Sequence, residues 1–168
     1  QYASAADENN LTYNLTVAYK PNKRVNAYGT YSTAFKPVGV NVAGLPTVNG
    51  QPATDLAVIK PERVKHVEAG VKTTLLDDFI LNFTFYNTDI RDYQTNVQSP
   101  ELGVNRGYIA NAEQVRIQGA ELETSIRAGK RFTFYGSAAY SDAAYIRFAN
   151  APLPLEETGN AQNSIQVA

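Results

Sequence analysis

Apolar and polar residues alternate with a period of two along most of this chain, and that rhythm divides it into strands. The clearest stretch is 60–94, KPERVKHVEAGVKTTLLDDFILNFTFYNTDIRDYQ. In its first arm Val67, Ala69, Val71 and Thr73 fall on one face, with His66, Glu68, Gly70 and Lys72 on the other. In its second arm Phe79, Leu81, Phe83 and Phe85 oppose Ile80, Asn82, Thr84 and Tyr86. A strand between one apolar and one polar surrounding has this pattern, whereas a helix would scatter residues two apart around its turn. Only Leu75-Leu76-Asp77-Asp78 separates the arms, which leaves room for a tight turn.

The same period predicts strands over 11–20, 25–35, 62–74, 79–94, 114–126 and 132–145. The first carries Leu11, Tyr13, Leu15, Val17 and Tyr19 on one face. The fifth sets Ala120, Leu122, Thr124 and Ile126 against Gly119, Glu121, Glu123 and Ser125. Val115 and Ile117 leave that register, which predicts a bulge near Gln118-Gly119. In the sixth, Phe132, Phe134, Gly136, Ala138 and Tyr140 share a side. Short turns fall at 21–24, 75–78 and 127–131, whereas 36–59 and 95–112 read as long connections rich in Gly, Asn and Pro. Short turns on one side and long loops on the other are the asymmetry of outer-membrane barrels. Strands near ten residues are long enough to cross a bilayer core at a tilt. Six strands cannot close such a barrel, so the expectation is an all-β, antiparallel up-and-down meander, one segment of a larger transmembrane barrel. On that reading Leu11, Leu15, Val17, Val71, Leu81, Phe83, Leu122 and Phe134 face lipid. His66, Glu68, Lys72, Asn82, Thr84, Glu121 and Glu123 face a wet lumen.

Three pieces carry a resemblance. They are Pro61-Glu62 with Glu68-Ala69-Gly70-Val71-Lys72, then Phe85-Tyr86-Asn87-Thr88-Asp89-Ile90-Arg91-Asp92-Tyr93-Gln94, then Ile117-Gln118-Gly119-Ala120-Glu121-Leu122-Glu123. In this order and spacing they resemble the late barrel of TonB-dependent outer-membrane receptors. The resemblance implies a parent of about 22 strands whose lumen is closed by a plug domain. It implies a bacterial outer-membrane location and uptake of a scarce ligand, a ferric siderophore first, energised by TonB. The plug and the TonB-contacting segment are expected before Gln1, and at least one further strand after Ala168. A passive porin-type channel and a soluble β-sandwich binding module share the alternation and stay open as alternatives.

Composition narrows the chemistry. Mean hydropathy is −0.32, which a barrel with a watery lumen reaches as readily as a soluble protein. Fifteen basic against sixteen acidic residues give no nucleic-acid footprint. The chain has no cysteine, hence neither a disulfide framework nor a thiolate site. It lacks Met and opens QYASAADENN without a signal pattern, as a processed chain or a piece of a longer one would. The single histidine, His66, cannot assemble a His-rich metal site and has no triad context. Glu121 and Glu123 stand roughly 7 Å apart along one strand face, a spacing that could flank a glycosidic bond. Acidic groups of a wet interior, paired with Lys72, Arg116 or a plug, explain them more simply. No enzyme activity and no cofactor are therefore expected. Ligand recognition is assigned to the long connections, where Arg106 and Tyr108 offer a cation and an aromatic face beside Gly103 and Gly107.

Overall fold

The structure, a computed structural model of the 168-residue chain, describes residues 7–41, 45, 47–48, 51–98, 107–149 and 151. Six long strands form one antiparallel sheet in chain order: β1 (Asn14–Asn22), β2 (Val25–Lys36), β3 (Glu62–Leu76), β4 (Phe79–Gln98), β5 (Gly107–Ala128) and β6 (Phe132–Arg147). Neighbours in sequence are neighbours in space, so the topology is a plain meander.

Register turns the alternation into two coherent faces, because residues directly opposite one another share a side. Tyr19, Ala27, Val71, Phe83, Leu122 and Ala138 form one continuous row across all six strands. Val17, Gly29, Ala69, Phe85, Ala120 and Tyr140 form the next. Leu15, Leu81 and Phe134 lie on this same face, opposite Tyr31, Val71's neighbour Thr73, and Ile126 respectively. No second sheet packs on it among the described residues. Leu15 and Val17 remain 63% and 67% exposed, and Phe134 61%. A β-sandwich buries such a face against a partner sheet; this one is a single wall. Leu11 precedes β1, so no strand register assigns it to either face.

Several boundaries differ from the sequence expectation. β4 runs on to Gln98 and β5 begins at Gly107, pairing Tyr93 with Ala112 and Val97 with Tyr108. Most of the expected loop 95–112 is therefore a hairpin extension. It was illegible because Thr95, Asn96, Asn111 and Gly107 carry no apolar alternation. The expected bulge at Gln118-Gly119 is absent: β5 pairs without a break through both residues, with β4 and with β6. Val115 and Ile117 simply face the same side as Gly119 and Glu121. The register shifts lie elsewhere, between Tyr19 and Asn22, Thr74 and Leu76, and Tyr145 and Arg147, and Asp92 has a positive φ of 52°.

The connection 37–61 is not an open loop. Gly39–Val40 pairs with Val58–Ile59, Thr47–Val48 pairs with Gln51–Pro52, and a 3-10 turn spans Thr54–Leu56. Leu45, Ala53, Ala57 and Ile59 within this connection are buried. Three side-chain amides fasten this cap to the hairpin extension. Asn41 receives the Ile109 N–H at 2.9 Å and donates to the Ile109 and Leu56 carbonyls at 2.8 and 2.9 Å. Asn111 accepts from the Lys60 N–H and donates to the carbonyls of Lys60 and Asp92. Gln94 donates to the carbonyls of Pro37 and Lys60, and its own N–H goes to the Glu62 carboxylate. Asn41, Glu62 and Gln94 are buried, and their bonds meet backbone groups that burial would otherwise leave costly, whereas the Asn111 bonds to Lys60 are exposed.

Candidate functional site

The face opposite the apolar rows carries the polar chemistry. Its rows run Lys72, Asn82, Glu123, Ser137; then Tyr28, Gly70, Thr84, Glu121, Ala139; then Thr30, Glu68, Tyr86, Gly119, Ser141. The seven polar residues expected on one face are all there. Tyr28, Glu68, Lys72, Asn82, Thr84, Glu121 and Glu123 line a shallow cavity of 200 Å3. His66 lies just beyond it, its Nδ1 2.8 Å from Thr88 Oγ1 and its Nε2 3.6 Å from the Glu68 carboxylate.

Tyr28 is the residue that sequence reasoning missed. Its hydroxyl donates to Glu68 at 2.7 Å and lies 3.3 Å from Thr84 Oγ1, so it ties β2, β3 and β4 together. The ring lies flat across Gly70: a Cβ there would stand 2.7 Å from ring carbon Cε1 and from the hydroxyl. Tyr86 also covers Gly119, its hydroxyl 2.5 Å from where a Cβ would be, although there the backbone carbonyl of Tyr140 on the neighbouring strand comes closer still. The glycines of the Glu-Ala-Gly-Val-Lys and Gln-Gly-Ala-Glu pieces are thus seats for neighbouring tyrosines. The only available signal was a tyrosine among the small and polar residues of β2, and it needs the register to be read.

The ion pairs expected for Glu121 and Glu123 do not form among the described residues. Arg116 lies on the opposite face of β5, two-residue parity placing it with Gln118 and Ala120. Lys72 sits over the Tyr28 ring at 5.5 Å from its centroid instead. Glu123 accepts a long contact of 3.5 Å from Asn82 Nδ2.

Towards the long connections this polar face changes character. The row Val64, Ile90, Val115 and Tyr145 crosses β3 to β6, with Ile117 beside it. Ile90, Ala112 and Val115 are buried, and Val64, Tyr93, Ile117 and Phe148 pack against them. The Tyr93 and Tyr145 rings meet edge-on at 6.3 Å, and Tyr145 stacks with Phe148 at 5.6 Å. Tyr145 keeps 55% of its surface exposed. The result is an aromatic and aliphatic shelf above a polar floor, the usual composition of a small-molecule surface. Tyr108 lies in β5, half-buried, and not in a flexible loop. Arg106 lies outside the described residues.

A single-layer meander with one exposed apolar face and one polar face defines a section of transmembrane barrel wall. The comparisons with known proteins agree. The family model "TonB dependent receptor-like, beta-barrel" matches residues 1–165, and the chain belongs to this family. Its members are outer-membrane β-barrel transporters of Gram-negative bacteria. The chain is 30% identical over 148 residues to the probable TonB-dependent receptor BfrD of Bordetella pertussis, covering 87% of this chain and 19% of that protein. Among solved structures it resembles the FrpB iron transporter from Neisseria meningitidis, with TM-score 0.59 and 20% identity over 83% of this chain and 20% of that one. It also resembles the copper transporter OprC, with TM-score 0.63 and 17% identity over 80% of this chain and 20% of the other. The chain spans about a fifth of the length of these relatives.

Proposed function

We propose that this chain is part of the wall of an outer-membrane receptor that takes up a scarce metal chelate, a ferric siderophore, with energy delivered by TonB. The apolar rows containing Leu15, Val17, Val71, Leu81, Phe83, Leu122 and Phe134 face lipid; Leu11, which precedes β1, is assigned to the same surface from the sequence alternation alone. The face with His66, Glu68, Lys72, Asn82, Thr84, Glu121 and Glu123 lines the lumen and meets a plug domain. The cap and the hairpin extension rim the outer vestibule.

The observation that carries the ligand class is the shelf of Tyr93, Tyr145 and Phe148 over Val64, Ile90 and Val115. Aromatic faces cover an organic chelator, not a bare ion. This part of the wall also has neither Cys nor Met, the soft ligands that suit copper(I). Arg106 and Tyr108 supply a cation and a ring nearby in sequence, which suits the anionic oxygens of a ferric chelate.

The test is iron-limited growth and radiolabelled uptake with the full-length receptor, offering ferric hydroxamate, catecholate and carboxylate chelates in turn. Removal of the receptor is expected to abolish uptake of one class. The double change Tyr93→Ala with Tyr145→Ala is expected to weaken that uptake at unchanged surface expression, as is Arg106→Ala with Tyr108→Ala. Equal uptake of every ferric chelate with and without the receptor would end the siderophore reading.

A further inference from the structure

The apolar face does not stay apolar. Beyond the rows of Val71, Phe83 and Leu122, on the same side of the sheet, Lys65, Asp89 and Arg116 stand directly opposite one another across β3, β4 and β5. One row further, Arg63 stands directly opposite Arg91. All four cations are exposed. Like charges directly opposite on one face are destabilising. The one acid among these five residues, Asp89, reaches Arg91 at 3.8 Å. Arg63 and Lys65 have no ion pair among the described residues. Asp142, one row nearer the belt on this same side and bonded to Gln118, is a second acid, so these four cations stand against two acids and the face keeps an excess of positive charge.

The position of this patch says what balances it. It borders the exposed apolar belt on the side of the cap and the hairpin extension, so a bilayer covering the belt would bring its headgroups level with the patch. Carboxylates of a protein partner would have to reach into that same layer, whereas lipid phosphates already occupy it. Guanidinium groups bind phosphate oxygens in bidentate fashion. We propose that Arg63, Lys65, Arg91 and Arg116 form a docking site for the phosphate groups of lipids in the leaflet on the long-connection side. The proposal rests on the reading that the apolar face meets lipid.

The experiment uses the full-length receptor purified in a non-ionic detergent, with diphosphorylated lipid A and its dephosphorylated form as probes. Native mass spectrometry reads the retained lipid, and thermal unfolding reads the stability of lipid-free and lipid-loaded protein. Wild type is expected to retain the phosphorylated probe in preference, and inorganic phosphate alone to compete poorly. Each basic residue near an anionic lipid surface contributes about fivefold in affinity. Arg63→Gln with Lys65→Gln should then lower the preference by at least about tenfold. Relief of the Arg63–Arg91 opposition should also raise the Tm of the lipid-free protein while reducing the gain that lipid confers. Arg63→Lys with Lys65→Arg keeps the charge and should keep most of the preference. Equal retention of the two probes by wild type would overturn the proposal and leave the membrane reading standing, whatever the variants do. Retention of neither probe, by a receptor monodisperse without detergent, would remove the membrane reading itself. An undiminished preference in the doubly neutral variant would also overturn the proposal.

Discussion

Gly70→Ala isolates the contact on which the polar face is built. The added methyl would stand 2.7 to 2.8 Å from Cε1, Cζ and the hydroxyl of Tyr28. Ordinary carbon contacts lie near 3.5–4.0 Å, so the ring must swing away by about 1 Å. That movement breaks the 2.7 Å bond from the Tyr28 hydroxyl to Glu68. A hydrogen bond to a charged group contributes about 1.5–3 kcal/mol. The Glu68 side chain is 31% exposed and water partly replaces the loss, which favours the lower end, about 1.5 kcal/mol. Against this, alanine is the better residue in a strand interior, by roughly 0.5–1 kcal/mol. The cycle Gly70→Ala, Tyr28→Ala and the double variant separates the terms. With Tyr28 present, Gly70→Ala should lower the unfolding midpoint of the full-length receptor in detergent. With Tyr28→Ala in place, the same change should be neutral or stabilising. The assay is thermal unfolding followed by circular dichroism in one detergent at one concentration. An equal effect of Gly70→Ala in both backgrounds would refute the idea that the glycine exists to seat the tyrosine.

Two other expectations are independent of that contact. Phe83, edge-on to Phe85 at 4.4 Å, lies in the apolar row, and Phe83→Arg should cost about 2–4 kcal/mol at the bilayer midplane and reduce heat-modifiable receptor in outer membranes. Asn82→Arg, one residue away on the polar face, should be far milder; equal losses at the two positions would count against a lipid-facing wall. Asn41→Ala leaves the Ile109 N–H and carbonyl without their side-chain partner, at about 1–3 kcal/mol for each buried group left unmade. Hydrogen exchange should accelerate in the cap, at 53–60, and stay unchanged in β1 to β3; uniform protection in the variant would show that the cap is held by other means.

The sequence was legible where each strand separates two unlike surroundings. From Tyr19 to Tyr140 the alternation sorts side chains onto faces without reference to any neighbour, and the registers agree with that sorting. It failed where both surroundings are alike. Thr95 to Gln98 and Gly107 to Asn111 are held by main-chain pairing, and their apolar residues, Val97 alone in one arm and Tyr108, Ile109 and Ala110 consecutive in the other, leave no period of two to detect. It misread Val115 and Ile117 because an apolar shelf on the polar face looks, in one strand, like a slip of register. Tyr28 with Gly70, and Arg63 with Arg91, are relations between strands 42 and 28 residues apart, and single-strand patterns cannot contain them. The stretch 36–59, rich in Gly, Asn and Pro, reads as a connection and holds no long strand, yet its short ladders still build a cap with buried apolar residues of its own.

The fastening of that cap bears on how such a surface can diversify. Asn41, Asn111 and Gln94 bind main-chain atoms of Ile109, Leu56, Lys60, Asp92 and Pro37, and every amino acid has a carbonyl to offer, while all but proline also have the N–H that Ile109 and Lys60 donate. Side chains at those receiving positions are therefore free to drift without loosening the joint. The three amides have no such freedom, since nothing shorter or uncharged-but-apolar reaches the same atoms. A lineage could exchange most of the cap's side chains, one residue at a time, while the joint itself stayed in place.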